Sequence, residues 1–247
     1  MPTIFDMKLV FTQIPALLAY LPVTLLITVF SMIAGVILGF AIALIRIKRI
    51  WLLNSSAGVF VSFIRGTPLI VQLYLSYYGI PILLKYYNYY NQTDYNVNDI
   101  PTLLFVLLAF SLNEAAYNSE SIRAAILSVD KKQIEAAQSL GMTPFQVLRR
   151  VTIPEAFVVA LPTLGNALIS LLKGTSLAFV CSVIELTARG KILASSNYRY
   201  FEVYVSLALI YWGLTIIIEA LIKVIEARIR IPERPSVTTG AIANDRN

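Results

Sequence analysis

Two charged residues stand where an apolar chain has little reason to keep them. Glu114 lies between Asn113 and Tyr117 in residues 101–122, and Lys173 stands beside Gly174, Thr175 and Ser176 in residues 156–184. Both stretches are otherwise dominated by apolar and small side chains. A charge taken out of water is costly and persists where it is paired, hydrated or bound to a ligand. A cation, a carboxylate and flanking amides and hydroxyls could together receive a zwitterion, the cation meeting its carboxylate and the acid its ammonium. Asn113, Glu114, Tyr117, Lys173, Thr175 and Ser176 are therefore candidates for lining a polar pathway. The alternative is that Lys173 pairs with a glutamate only to satisfy both charges. Catalysis has few means here. The chain has no histidine, one cysteine (Cys181) and no clustered acid pair, which removes imidazole bases, His-ligated metals, an internal disulfide and a CxxC site. Gly190-Lys191 lacks both the glycine-rich cradle and the following Ser or Thr of a phosphate-binding loop. The chain cannot bind ATP by that route.

The elements that must hold these groups are membrane spans. Of 247 residues 57% are hydrophobic and 14% charged, with a mean hydropathy of +0.73, whereas a soluble domain carries about 25% charged residues. Residues 21–45 contain no charge over 25 positions, longer than the roughly 20 that a spanning helix needs. Residues 66–84 form a second run, 101–122 a third that carries Glu114 and Glu120, 156–184 a fourth broken at Lys173-Gly174, and 201–223 a fifth containing Glu202 and Glu219. The expected fold is all-α, a polytopic membrane protein with about five transmembrane helices. Residues 55–64 read either as an early part of the second helix or as an interfacial segment. The first apolar run is too long for the core of a cleavable signal.

Connecting loops set the orientation. Arg46, Lys48, Arg49 and Arg65 separate spans one and two; Lys131, Lys132, Arg149 and Arg150 separate three and four; Lys223, Arg228, Arg230 and Arg234 follow five. Basic loops stay in the cytoplasm, so the amino terminus is expected outside and the carboxyl terminus inside. Arg189, Lys191 and Arg199 on the outer face are a mild exception. The net charge of +6 thus reads as an orientation signal and not as a nucleic-acid footprint. The chain divides into an extracytoplasmic or interfacial segment 1–20, a membrane domain 21–228 and a polar, disordered tail 229–247. The tyrosines from Tyr74 to Tyr90 suit an interfacial aromatic belt or, alternatively, a docking face for an external protein.

The longest cytoplasmic loop, 131–154, departs most from the rest. Residues 133–140 are good helix formers, and Gly141 stands where a left-handed residue would close that helix. Thr143-Pro144 reads as an N-cap followed by proline at the first helical position, and Pro154 precedes the next apolar run. The expectation is a short helix, a sharp turn and a second short helix on the membrane surface, with Ala136 and Ala137 offering a smooth face to another protein.

These residues carry a resemblance. Glu135-Ala136-Ala137, then Gly141, then Val151-Thr152-Ile153-Pro154 resembles the EAA loop of ABC importer permeases, whose pattern closes in Ile-x-Leu-Pro. Arg65-Gly66-Thr67-Pro68-Leu69 resembles the RGTPL signature of the polar amino-acid permeases. Ala116-Tyr117-Asn118-Ser119-Glu120-Ser121-Ile122-Arg123 resembles their AYxxExxR segment, and Asn166 with Lys173-Gly174-Thr175-Ser176-Leu177 their N…K-x-TSL stretch. The likeness covers about residues 15 to 228; residues 197–202 and Tyr211-Trp212 also resemble the cystine-type branch. It implies a type I importer permease of the bacterial plasma membrane that takes up a polar amino acid by alternating access, with L-cystine the substrate that the cystine-type branch implies. It implies that Glu135, Ala136, Ala137, Gly141 and Pro154 belong to a coupling helix seated on a cytoplasmic ATP-binding subunit. ATP and Mg would lie on that partner, with no cofactor on this chain. It further implies a second permease chain, identical or related, and an extracytoplasmic amino-acid-binding protein. At the inner boundary Arg65 would anchor to lipid phosphate or cap a gate, and Glu120 with Arg123 would form a local ion pair or touch the coupling loop. Two other classes remain open: a secondary transporter driven by an ion gradient, against which five spans without an internal repeat argue, and a membrane-embedded enzyme.

Overall fold

The computed structural model describes residues 5–96 and 99–229. Eleven α-helices follow one another there, with no strand among the described residues: α1 (Met7–Thr12), α2 (Ile14–Leu18), α3 (Leu21–Ile47), α4 (Trp51–Gly66), α5 (Leu69–Asn91), α6 (Thr102–Leu127), α7 (Lys131–Ser139), α8 (Pro144–Val147), α9 (Ile153–Gly174), α10 (Leu186–Asn197) and α11 (Tyr200–Ile229). The proposed tail falls on residues 230–247 apart from its first residue, and so lies outside the described residues, as do Arg230, Arg234 and residues 1–4.

The spans read from the sequence correspond to α3, α5, α6, α9 and α11. Three stretches are long and apolar enough to cross a membrane alone, namely α3, the run Pro144–Cys181 and α11, and α4 with α5 makes a fourth bent by 110°. The fifth, α6, is 26 residues long, or about 39 Å at 1.5 Å per residue. It is the interior helix, with most of its residues between Phe105 and Ile126 buried, against α3, α5 and α9. Several of its polar residues are answered by protein neighbours: Asn113 by Gln72, Asn118 by Glu114 and Glu120 by Arg46.

The longest helix pair, α3 with α6, touches backbone to backbone. A Cβ added at Gly35 would overlap that of Glu114, and one at Gly39 would lie 3.0 Å from the Ala115 carbonyl oxygen and the Ser119 nitrogen. Glycines four apart on one helix allow this approach, the small-xxx-small arrangement that packs helices in lipid without a hydrophobic drive. Ile27, Leu73, Phe110 and Leu171 then knit α3, α5, α6 and α9 into one core.

Residues 55–64, read from the sequence as an early part of the second helix or as an interfacial segment, are helical. They form most of α4, a separate helix that meets α5 at a corner. Pro68 forces the residue before it out of the helical region, and Thr67 is extended at φ −117°, ψ 145°. The buried Gln72 closes the corner, its amide donating to the Ile64 carbonyl at 2.7 Å and the Thr67 carbonyl at 3.1 Å. The RGTPL stretch is this corner.

The amino-terminal segment is part of the bundle. Gln13 donates to Ser206 of α11 at 2.8 Å, and Ser206 donates to the Val10 carbonyl at 2.8 Å. Opposite the corner, Glu185 is fully buried and caps α10, accepting from the Thr187 and Ala188 amides at 2.9 and 2.8 Å and from Tyr211 at 3.3 Å. Burial raises its carboxyl above the ordinary value, while these hydrogen bonds and that of Thr24 pull it back.

Candidate functional site

The loop between α6 and α9 is built from caps. Asp130 accepts the Lys132 amide at 2.9 Å and starts α7. Gly141 ends it in the left-handed region at φ +81°. Its N–H donates to the Gln138 carbonyl at 2.9 Å, and that of Met142 to the Ala137 carbonyl at 3.2 Å, the paired closure of a Schellman motif. Thr143 and Gln146 then exchange side-chain-to-backbone bonds at 2.9 and 3.3 Å, a capping box that opens α8 with Pro144 first.

Here the structure corrects the expected second short helix. α8 does not stop on the surface: it passes through a five-residue π-helical turn, Leu148–Thr152, straight into α9. Pro154 is the physical reason, since it has no N–H to offer the carbonyl four residues back and its ring crowds that carbonyl. A wider turn relieves the clash without ending the helix.

Ile134 roots α7 in an apolar cluster with Ala43, Ile126 and Ala156, from α3, α6 and α9. Glu135, Ala136 and Gly141 are exposed. Ala137 is not: it is buried within its own chain, so the smooth pair expected from the sequence presents only Ala136 outward. Sequence reading missed what else the corner displays. Leu140 is 81% exposed and Phe145 68%, one on each side of Gly141. A groove of about 430 Å³ runs beside them, lined by Lys48, Ile134, Gln138, Phe145, Leu148 and Thr152. α7 is rooted in the bundle through Ile134, and α8 joins α9 with no intervening loop.

The intramembrane polar residues fall into three places. Asn113 and Tyr117, one turn apart on α6, face the α4–α5 corner: the Asn113 amide donates to Gln72 at 2.9 Å, and the half-exposed Tyr117 ring lies under the Arg65 guanidinium, 5.4 Å from its centroid. Glu114 faces α3, buried and hydrogen-bonded by Asn118 at 3.2 Å. The Lys173 turn is separate, with Gly174 reaching Phe110, a helical turn before Glu114. The helix is not broken at Lys173. It continues through Gly174 and tightens into a 3-10 turn, Thr175–Cys181. Thr175 is fully buried with its hydroxyl on the Leu172 carbonyl at 2.7 Å, and Ser176 donates to the Lys173 carbonyl at 2.9 Å. These hydroxyls serve the turn. Neither Lys173 nor Glu114 makes an ion pair among the described residues.

At the end of the bundle near the corner, Glu120 gathers two arginines. Arg123 approaches its Oε2 at 2.9 Å, and Arg46 of α3 meets Oε1. Arg46 entered the sequence reading only as a loop charge, Asn118 only as a position within the AYxxExxR likeness, and Gln72 not at all. A lone glutamine in an apolar run, and the Gly35-x-x-x-Gly39 spacing, were the available signals.

The chain is 41% identical over 216 residues to a probable amino-acid permease protein, YxeN, of Bacillus subtilis (strain 168), which covers 87% of this chain and 92% of that one. It is 39% identical over 234 residues to the L-cystine transport system permease protein TcyL of the same organism, covering 95% of each. Among solved structures, an amino acid ABC transporter crystallised with histidines matches with a TM-score of 0.77 at 36% identity, over 91% of this chain and 99% of that one. Residues 31–231 match the family described as binding-protein-dependent transport system inner membrane component. By that match and by this degree of identity, the chain belongs to the family of inner membrane permease components of binding-protein-dependent transport systems.

Proposed function

We propose that this chain is the permease subunit of an ATP-driven importer for polar amino acids, with L-cystine the first substrate to test. The observation that carries the reading is the exposed α7–α8 corner, capped at both ends, flanked by Leu140 and Phe145 and continuous with α9. A corner so built is a handle for a separate motor. The relatives named as amino-acid and cystine permeases supply the substrate class.

In this reading the end of the bundle bearing Arg46, Lys48 and Arg49 faces the cytoplasm. The amino terminus is outside and the carboxyl terminus inside. Residues 131–154 are the coupling loop of a permease domain spanning 21–228. Glu135, Ala136, Gly141, Leu140 and Phe145 meet an ATP-binding subunit, which holds ATP and Mg. A second permease chain completes the pathway, and an extracytoplasmic binding protein delivers substrate. Asn113, Glu114, Tyr117, Lys173 and Ser176 contribute to that pathway, with Thr175 shaping the turn beneath it.

Affinity purification of the tagged chain from its host membrane, followed by reconstitution, tests this. The expected result is a copurifying ATPase and ATP-dependent uptake of labelled L-cystine or another polar amino acid. Isolation without any ATP-hydrolysing subunit contradicts it.

A further inference from the structure

A groove of about 430 Å³ opens between α4 and α6, lined by Arg46, Ser62, Arg65, Tyr117 and Glu120. Gly58 and Gly66 border it and bring no side chain to fill it. This is the size of a small-molecule site, for which about 300–1,000 Å³ is usual. Its charge is lopsided. Both oxygens of Glu120 are taken, Oε1 by Arg46 and Oε2 by Arg123, so two guanidiniums already neutralise the carboxylate and Arg65 adds a third. The local field is positive.

Arg65 differs from the other two. Its guanidinium lies over the Tyr117 ring, 5.4 Å from the centroid, and no carboxylate among the described residues is within ion-pair distance of it. A cation over an aromatic face keeps its N–H donors for other partners, and no hydrogen bond engages those of Arg65 among the described residues. A free guanidinium edge on an open groove matches the two oxygens of a carboxylate. Tyr117 and Glu120 lie one and two turns beyond Asn113 on α6, so the groove continues the stripe that Asn113 begins.

We propose that this groove is a carboxylate-binding station at the inner end of the pathway, where Arg65, seated over the Tyr117 ring, receives the α-carboxylate of the transported amino acid. The inference rests on the importer reading given above. Arg65 is then a substrate-binding residue and Tyr117 a positioning residue acting through it. Substrates without a free carboxylate are rejected here even where the rest of the molecule fits.

The test begins with the complete importer in proteoliposomes, using ATP-dependent uptake from a panel of the twenty amino acids and L-cystine to identify one that is carried. Equilibrium binding of that amino acid to the permease–ATPase assembly is then measured in nanodiscs of phosphatidylcholine, with and without phosphatidylglycerol. The expected result is a dissociation constant at least tenfold weaker in Arg65→Gln, partly restored in Arg65→Lys, with Tyr117→Leu weakened and Tyr117→Phe close to wild type. The methyl ester should bind poorly to wild type, and Arg65→Gln should lose the preference for the free acid. Equal dissociation constants for wild type and Arg65→Gln overturn the station while leaving the importer intact. So does an effect of Arg65→Gln that appears only with phosphatidylglycerol, which assigns Arg65 to lipid phosphate. If wild type carries no amino acid under ATP, the importer reading itself fails and takes the station with it.

Discussion

Substitution of Gly141 separates what the chain needs from what a partner needs. The residue sits at φ +81°, and a Cβ built there finds no atom within 4 Å. Within this chain, therefore, a side chain at 141 costs only backbone strain. For alanine that strain is about 1–2 kcal/mol. For asparagine, which adopts left-handed conformations readily, the cost is smaller. If the turn were only a linker, Gly141→Asn would transport as wild type and Gly141→Ala nearly so. If the corner is pressed into an ATPase surface, the added atoms must overpack that interface at about 1–3 kcal/mol, roughly a 5- to 150-fold loss of productive docking. We expect Gly141→Asn to melt within a few degrees of wild type and yet lose most ATP-dependent uptake in proteoliposomes, with Gly141→Asp losing more. Wild-type uptake by the stable Gly141→Asn protein would refute the reasoning, since steric room at 141 would then be irrelevant.

Three further outcomes follow from named contacts. Glu135 is exposed and its carboxylate has no hydrogen-bond or ion-pair partner among the described residues, so Glu135→Arg should alter stability by no more than about 0.5 kcal/mol while abolishing stimulation of uptake by ATP; a coupled Glu135→Arg importer argues against docking there. Gly35→Ala drives a methyl into Glu114 and should cost about 1–3 kcal/mol or more, whereas Leu38→Ala on the exposed side of α3 should shift the melting temperature little; equal effects would contradict the close α3–α6 contact. Because burial raises the Glu185 carboxyl, proton uptake favours the folded state: this contribution is complete below the ordinary carboxylate range and disappears as pH rises through the raised folded value. Thermal stability should decline across that rise, Glu185→Gln should remove that part of the profile, and an unaltered profile in the variant would assign the pH dependence elsewhere.

The sequence was most legible where one residue's chemistry sets local structure. Gly141, Thr143-Pro144 and the charge-free run within α3 each act over a few neighbours, and the helix end, the capping box and the span follow from them. What escaped depends on residues far apart in the chain. The 110° corner at Pro68 needs Gln72 to bind the carbonyl of Ile64 and Asn113 to bind Gln72. Periodicity does not reveal either bond. The π-helical turn arises because Pro154 is met by a helix that tertiary packing keeps continuous, whereas proline in isolation argues for a stop. The polar candidates were correctly singled out as unusual within apolar runs. Their sorting into an Asn113–Tyr117 stripe, a Glu114–Asn118 pair against α3 and a turn at Lys173 required knowing which helix lies against each face of α6.

The central claim is that this chain is a gate moved from outside itself by a nucleotide-driven motor. Uptake of the carried amino acid into liposomes tests it most directly, measured for the purified chain alone under proton and sodium gradients and for the chain assembled with its ATPase and binding protein. The account predicts no concentrative uptake by the chain alone under either gradient, and accumulation with ATP in the complete assembly. Gradient-driven accumulation by the chain without an ATPase would contradict it.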